Sequence, residues 1–264
     1  MLRALIVLAI LALPARADEL TLTQVRLSHG ILGPTRVEKR IIPGDSLFVS
    51  FTIEGLQLDA AGKVRYSTLL EVIGADGKAL VRQEGKPQEV INILGGHQVP
   101  AYAQLDIGLS QPPGDYTLKL TVTDKTSGKS QSLSHMGTIL PKEFGLVRVT
   151  TSADENGAVP SGLLGPGQSM FVHALIVGFG RDAGTKQPKL VMELRVLDEA
   201  GKPSIATPFA GTVEKDVAAN ALSVPLQFHV SLNRPGKFTV ELKATDKVSG
   251  KTDTRSFPIT VHQP

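Results

Sequence analysis

Two copies of one phrase decide the fold: residues 113–129 read PGDYTLKLTVTDKTSGK, and residues 235–251 read PGKFTVELKATDKVSGK. Ten of the seventeen positions are identical. A second pair of segments, PGDSLFV at 43–49 and PGQSMFV at 166–172, has almost the same separation. Because the spacing is preserved between distant segments, the sequence predicts that a whole domain was duplicated, with about 120 residues in each copy.

Apolar residues alternate with polar ones inside each copy, with a period of two residues. Such alternation is typical of antiparallel sheets that have one face in the core and one in water. It therefore places Ser50 and Thr52 on a solvated face, and it extends the strand pattern over residues 222–232, starting at Leu222. The apolar positions include Val49, Phe51, Ile53, Leu118, Leu120, Val122, Val240, Leu242 and Ala244.

Turn residues separate these runs. Gly77 and Gly201 follow short polar stretches and suit hairpins, because glycine accepts the positive φ that such turns need. Each Pro-Gly pair is expected to open a strand. Asp124 and Asp246 are expected to fix the last hairpin turn of each copy, since aspartate side chains bond to nearby backbone groups.

At these residues the chain resembles bacterial immunoglobulin-like or fibronectin-III-like modules. The resemblance implies an all-β fold: two tandem immunoglobulin-like antiparallel β-sandwiches after a signal peptide. It also implies spacer, adhesion or accessory roles, although fold does not set function. Tyr116 resembles a tyrosine-corner residue, whose hydroxyl bonds back to the preceding loop. Ring packing alone is the favoured interpretation, since Phe238 at the matching position has no hydroxyl. The cysteine pair and tryptophan of antibody domains are missing.

The first seventeen residues are typical of a signal peptide. Arg3 supplies the positive charge, residues 4–13 are apolar, and Ala15-Arg16-Ala17 fits the cleavage site. The alternative is an uncleaved anchor, but ten apolar residues are too few for a bilayer, which needs about 20. The predicted organisation is 1–17 signal peptide, 18–140 first sandwich, 141–145 linker and 146–264 second sandwich. The short, partly apolar linker predicts limited freedom between the sandwiches.

Composition excludes several functions. The chain has no cysteine, so disulfides, thiolate nucleophiles and iron–sulfur clusters are excluded. The formal net charge of +3 includes two arginines of the predicted signal peptide, and both halves of the remainder carry nearly balanced charge. This balance argues against nucleic acid as a partner. The absence of cysteine and of a glycosylation motif favours a bacterial origin.

No pattern predicts a catalytic, cofactor-binding or metal-binding residue, so all three sets are expected to be empty. The six histidines are scattered without ligand spacing, and no nucleophile or phosphate-loop motif occurs. Asp154 and Glu155 could offer oxygen ligands to calcium, but a plain structural turn is the favoured interpretation. The apolar, glycine-rich loop at residues 91–97 is the candidate surface site; the favoured alternative is a buried crossover between sheets.

These features predict a non-catalytic secreted or periplasmic binding or structural protein, whose partner is a protein or a cell-envelope component. The alternative is a carbohydrate- or calcium-dependent surface module, and a hydrolase with a dispersed site is the third class. An exposed apolar patch would favour the first, a solvent-facing row of Tyr and Phe the second, and a cleft with perturbed acids the third.

Cleavage after Ala17 predicts an exported chain that begins at Asp18. Intact-mass measurement of the protein from the envelope fraction checks this directly. A mass that retains Met1 would contradict the predicted processing.

Overall fold

A computed structural model describes residues 19–263, and the predicted signal peptide at 1–17 lies outside this range. The described part is all-β, with fifteen strands and no helix, so none of it forms a helix that could cross a membrane. Its strands form four antiparallel sheets that build two sandwiches. The predicted fold class, two tandem immunoglobulin-like β-sandwiches, is confirmed.

The N-terminal sandwich packs a sheet in the order β1-β2-β6 against a sheet in the order β4-β3-β7-β8, and β5 pairs with β3 beside β4. Its core contains inward residues of both sheets, including Phe51, Ile53 and Leu120. The strands are β1 (Thr21–Ser28), β2 (Ser46–Glu54), β3 (Lys63–Gly74), β4 (Ala79–Glu84), β5 (Gln88–Ile91), β6 (Gln98–Asp106), β7 (Gly114–Asp124) and β8 (Ser130–Ile139).

The C-terminal sandwich repeats this arrangement, with sheets in the order β13-β10-β9 and β12-β11-β14-β15. Every strand of the first sandwich except β5 has a counterpart here. No strand of one sandwich pairs with a strand of the other within residues 19–263. The strands are β9 (Gly145–Ser152), β10 (Ser169–Val177), β11 (Leu190–Leu197), β12 (Phe209–Val213), β13 (Ser223–Ser231), β14 (Gly236–Asp246) and β15 (Thr252–Val261).

The predicted alternation is confirmed in β7 and β14, where Leu120 and Leu242 are fully buried. It is wrong for β2, which is buried on both faces, so Ser50 and Thr52 are not solvated. Ser50 lies in register between Arg26 and Tyr102, whose long side chains share its face. Its hydroxyl bonds that of Ser28 at 2.8 Å, which satisfies the buried oxygen.

The predicted strand run at residues 222–232 begins one residue too early. Leu222 is exposed and precedes β13, which starts at Ser223. The preceding residues form a turn, in which Ala221 donates its N–H to the Ala218 carbonyl. Leu222 therefore has no inward strand position to occupy.

Asp124 fixes the last hairpin turn of the first sandwich, as predicted. Its carboxylate accepts hydrogen bonds from Thr126 N at 2.8 Å and Ser127 Oγ at 2.6 Å. It also accepts a hydrogen bond from the backbone N–H of Gln57 at 3.0 Å, which links the loop after β2 to this turn. In the second sandwich Asp246 makes the same three contacts, with Val248 N, Ser249 Oγ and Gly180 N.

The tyrosine-corner hydrogen bond implied by the resemblance is confirmed. The Tyr116 hydroxyl donates to the Pro112 carbonyl at 2.9 Å. Its ring also packs against the apolar core, as that of Phe238 does in the second copy. Packing alone is therefore an incomplete account of Tyr116.

Truncating a matched core leucine tests the strand register of both copies. We expect Leu120→Ala or Leu242→Ala to lower the free energy of unfolding by about 2–5 kcal/mol, because each removes a fully buried side chain. Thr121→Ala and Lys243→Ala, one residue along on the solvated face, should each cost less than about 1 kcal/mol. Urea unfolding of the four variants makes the comparison, and equal losses for neighbouring positions would contradict the register.

Candidate functional site

The end of β5 and the loop that follows it form an exposed apolar tip, defined here as Ile91, Ile93 and Leu94. Ile93 is 85% exposed and Leu94 is 99% exposed. The loop crosses between the two sheets, as predicted, but it crosses outside the core, so its interpretation as a buried crossover is wrong. Its apolar residues therefore face water, which is costly for side chains of this type.

Local hydrogen bonds explain why the tip projects. The Gly95 N–H donates to the Asn92 carbonyl at 2.8 Å. The Asn92 side-chain amide donates to the Gly96 carbonyl at 3.0 Å. Gly95 and Gly96 both have positive φ, of 75° and 89°, which side chains other than glycine rarely adopt. This closed turn holds Ile93 and Leu94 at its outer end.

An acidic recess lies beside the tip. Glu19, Glu54 and His97 line it together with the backbone of Gly95 and Gly96. The Glu54 carboxylate accepts Thr23 Oγ1 at 2.8 Å and Gln98 Nε2 at 3.1 Å. Neither glutamate forms an ion pair within residues 19–263. No group of three or more His, Asp or Glu side chains in the described part is arranged to hold a metal ion.

The opposite end of the N-terminal sandwich packs against the C-terminal sandwich in a buried contact, called here the joint. Residues 29–45 supply its N-terminal side, and β9, the end of β10 and the start of β15 supply its C-terminal side. Ile42, Val147 and Val177 form an apolar cluster across it, with Ile42 fully buried. The joint therefore excludes water in the way that a domain core does.

A buried ion pair anchors the joint. Arg36 Nη2 donates to Asp45 Oδ2 at 2.7 Å, and both side chains are almost fully buried. Asp45 Oδ1 also accepts Arg148 N at 2.9 Å from the C-terminal sandwich. Arg148 has φ of 52° at an irregularity in the pairing of β9 with β10, and this bulge turns its N–H toward Asp45.

Further charged groups surround this pair. Arg40 donates to Asp253 at 2.6 Å and to Glu143 at 2.7 Å, which links the first sandwich to β15 and to the connecting segment. Arg255 Nη1 lies 3.7 Å from Glu38 Oε1 across the joint. Burial raises the pKa of Glu38, although the nearby arginines oppose this effect.

His29 is buried at the centre of the joint. Its Nδ1 lies 3.0 Å from the Val149 carbonyl, so Nδ1 carries the proton that is donated. Its ring packs against Phe257 at 4.8 Å, and Nε2 lies 3.9 Å from Glu38 Oε2. Burial lowers the pKa of His29 to about 4, because the charged imidazolium would be desolvated.

The sequence did not predict this charged joint. Arg36, Glu38, Asp45 and Arg255 occur among polar residues and resemble an ordinary solvated surface. Their burial depends on the second sandwich, which no local pattern reports. One sequence feature could have pointed to the joint. The two copies differ at this position, with Asp45 in the first and Gln168 in the second.

An open apolar groove lies between the edges of the two sheets in the C-terminal sandwich, with a volume of about 480 Å³. Ile205 and Phe209 form its rim and are about half exposed. Arg234 is also at the rim, with its guanidinium carbon 4.7 Å from the Phe238 ring centre. The floor is formed by Val230, Leu232, Phe238, Ile259 and Val261.

Asp154 acts in a structural turn, as favoured from the sequence. Its Oδ1 accepts Val159 N at 2.6 Å, and this backbone bonding lowers the pKa of its carboxyl group. Among the histidines, His173 bonds Ser152 Oγ at 2.7 Å and His229 bonds Ser169 Oγ at 2.8 Å. The charge of Asp154 acts on His173, but among the described residues no carboxylate forms a hydrogen bond with either histidine ring.

No protein-family model matches the chain, and no curated protein matches it. Among solved structures, the C-terminal domains of the antigen I/II proteins BspA of Streptococcus agalactiae and AspA of Streptococcus pyogenes each show 10% identity and a TM-score of 0.30. They cover 91% and 92% of this chain, and 100% of their own. Red sea bream transglutaminase shows 12% identity and a TM-score of 0.30 over 94% of this chain, which spans 32% of that enzyme. Matches at this level carry no inference about function.

The repeat supplies a matched test of the ion pair. We expect Asp45→Ala to lower the free energy of unfolding by about 3–5 kcal/mol, because it leaves the buried Arg36 charge without its partner. Gln168→Ala at the equivalent exposed position should cost less than about 1 kcal/mol. Chemical unfolding measures both, and a small loss for Asp45→Ala would show that the joint does not depend on this pair.

The buried His29 predicts a pH dependence of stability. Its folded pKa of about 4 lies below the unfolded value of 6.5, so the folded state binds fewer protons. The contribution of neutral His29 to the free energy of unfolding is fully present above pH 6.5 and is lost as the pH falls toward 4. Between pH 7 and pH 5 the loss should be about 2 kcal/mol larger in the wild type than in His29→Asn.

Glu38 changes the stability in the opposite direction. Its pKa is raised in the folded state, so its protonation stabilises the folded state as the pH falls. Because Glu38 is present in both proteins, most of its contribution cancels in the difference between the wild type and His29→Asn. Unfolding curves at the two pH values give this difference. Parallel pH profiles would contradict the assignment of a depressed pKa to His29.

Proposed function

We propose that this chain is a non-catalytic secreted or periplasmic binding protein, which contacts a protein or a cell-envelope component through its apolar tip. The observation that carries the proposal is the near-complete exposure of Ile93 and Leu94 on a hydrogen-bonded turn. Exposed apolar groups at the end of a rigid unit are typical of binding surfaces, because a partner removes them from water.

The joint supports this role mechanically. The Arg36–Asp45 pair and the Ile42 cluster hold the two sandwiches together at the end opposite the tip. The hydrogen bonds of the Asn92 turn order the tip itself, so a partner meets a preformed surface and less entropy is lost on binding. The N-terminal sandwich thus presents the tip at one end, while its other end is fixed against the C-terminal sandwich.

The alternative classes receive less support. Tyr102 and Phe209 are both exposed, but they lie on different sandwiches and form no common row for sugar stacking. Asp154 already bonds the backbone, which disfavours a calcium loop there. Glu38 has a raised pKa, but it lies inside the joint beside His29 rather than in an open cleft.

Capture of envelope components by immobilised protein tests the proposal. We expect Ile93→Ser combined with Leu94→Ser to reduce capture at least tenfold, because these side chains would contribute most of the buried apolar contact. Met136→Ser, which alters another exposed apolar residue on β8, is the matched control and should capture like the wild type. Equal capture by the tip variant, with unchanged thermal unfolding, would refute the role of the tip.

A further inference from the structure

We propose that the partner of the apolar tip is a second copy of this chain, whose C-terminal groove receives Ile93 and Leu94. The proposal rests on the proposed function, in that the tip is a binding surface, and it names the occupant. Two unpartnered apolar surfaces on one chain, one projecting and one concave, carry the inference. Repetition of this contact joins copies head to tail.

The groove is suited to side chains of this size and chemistry. Its floor is apolar, with Leu232, Phe238 and Ile259 nearly buried, and its rim residues Ile205 and Phe209 remain half exposed. An inserted leucine or isoleucine would cover both rim side chains. The groove volume of about 480 Å³ lies within the usual range for binding pockets.

The groove is particular to the second sandwich. The equivalent recess of the first sandwich has a volume of only about 40 Å³. There the bulkier Leu105 stands in place of Val230, and Tyr116 stands in place of Phe238. The open groove therefore does not follow from the repeated fold itself, and it marks a specific difference between the copies.

The tip and the groove lie at opposite ends of the molecule, so the tip of one chain cannot reach the groove of the same chain. The tip lies where β2 ends at Glu54 and β6 begins at Gln98, whereas the joint lies at the start of β2. The groove lies beside β12 and β13, which are the sheet edges opposite β15 and β9. The joint contacts the start of β15 at Asp253 and the end of β10 at Val177, whereas the groove is lined by the end of β15 at Ile259 and Val261. The groove therefore lies at the end of the C-terminal sandwich that faces away from the first.

Charges around the two surfaces are complementary. Arg234 at the groove rim contacts the Phe238 ring and forms no ion pair with any carboxylate of residues 19–263. Glu19 and Glu54 flank the tip and have no cationic partner in the same range. A docked tip would bring opposite charges to the edge of one apolar contact, which favours this pairing over contact between two tips.

Because the two surfaces differ, the contact is heterologous, and a pair of copies retains one free tip and one free groove. Such contacts build open chains unless rotation closes them into a ring. The contact is small, so association should depend on concentration. Sedimentation of the mature chain across a wide concentration range should therefore show a rising average mass.

Complementation between two variants provides the decisive test. Leu94→Asp removes the tip but keeps the groove, and Ile205→Asp blocks the groove but keeps the tip. Each variant alone should sediment as a monomer at concentrations where the wild type associates. Mixed in equal amounts, they should form a one-to-one complex that does not grow further, because the intact tip of one fills the intact groove of the other.

Met136→Asp, at an exposed apolar position outside both surfaces, is the control and should associate like the wild type. A wild type that stays monomeric would overturn the proposal, and so would a mixture that stays monomeric while the wild type associates. If the tip variant loses envelope capture while the wild type does not self-associate, only the head-to-tail proposal fails. If the tip variant loses neither property, the proposed function fails as well.

Charge reversal gives an independent check of the pairing. Arg234→Glu should weaken wild-type self-association several-fold, because it places a third carboxylate beside Glu19 and Glu54 of the docked copy. Raising the salt concentration should weaken the wild type as well, since exposed charges are screened. Unchanged association of Arg234→Glu would contradict the assigned groove.

Discussion

The structure depends on burial of the Arg36–Asp45 ion pair. Removing two charges from water costs several kcal/mol for each ion, so the pair depends on hydrogen bonds that compensate this cost. Asp45 accepts such bonds from Arg36, from Ser46 and from Arg148 of the other sandwich, and Arg36 donates through Nη1 and Nη2, while its buried Nε has no hydrogen-bond partner among the described residues. A rotation of one sandwich against the other would break the bond from Arg148 and expose the Ile42 cluster. The orientation of the two sandwiches, and therefore the separation of tip and groove, follows from this constraint.

Duplication produced two similar sandwiches whose equivalent ends have different roles. At the joint the first copy has Asp45, which is buried and fully bonded, whereas Gln168 at the equivalent place in the second copy faces solvent. At the other end the relation is reversed: Val177 is buried in the joint, and its equivalent Glu54 lies beside the exposed tip. One sandwich end thus became an internal contact, while its counterpart remained available for other molecules.

The strands and turns could be predicted from sequence because they depend on local patterns. Alternation placed Leu120 and Leu242 inside, and the Asp124 turn followed from the tendency of aspartate to bond its own backbone. The double burial of β2 could not be predicted, since it depends on cross-strand neighbours such as Arg26. The tip was misinterpreted because apolar residues usually lie inside, and only the closed Asn92 turn shows otherwise. The joint depends on contacts between domains, and the periodicity of a sequence reports only which residues are buried within one domain.

A distance measurement between the sandwiches tests most directly whether the joint holds them as one rigid unit. The chain contains no cysteine, so single cysteines at Ser134 and Lys243 can carry spin labels on exposed strand positions of the two sandwiches. Pulsed electron–electron double resonance should then give one narrow distance distribution between the two labels. The distribution should broaden when the labelled protein also carries the Asp45→Ala substitution. A broad distribution in the otherwise unaltered protein would contradict the account.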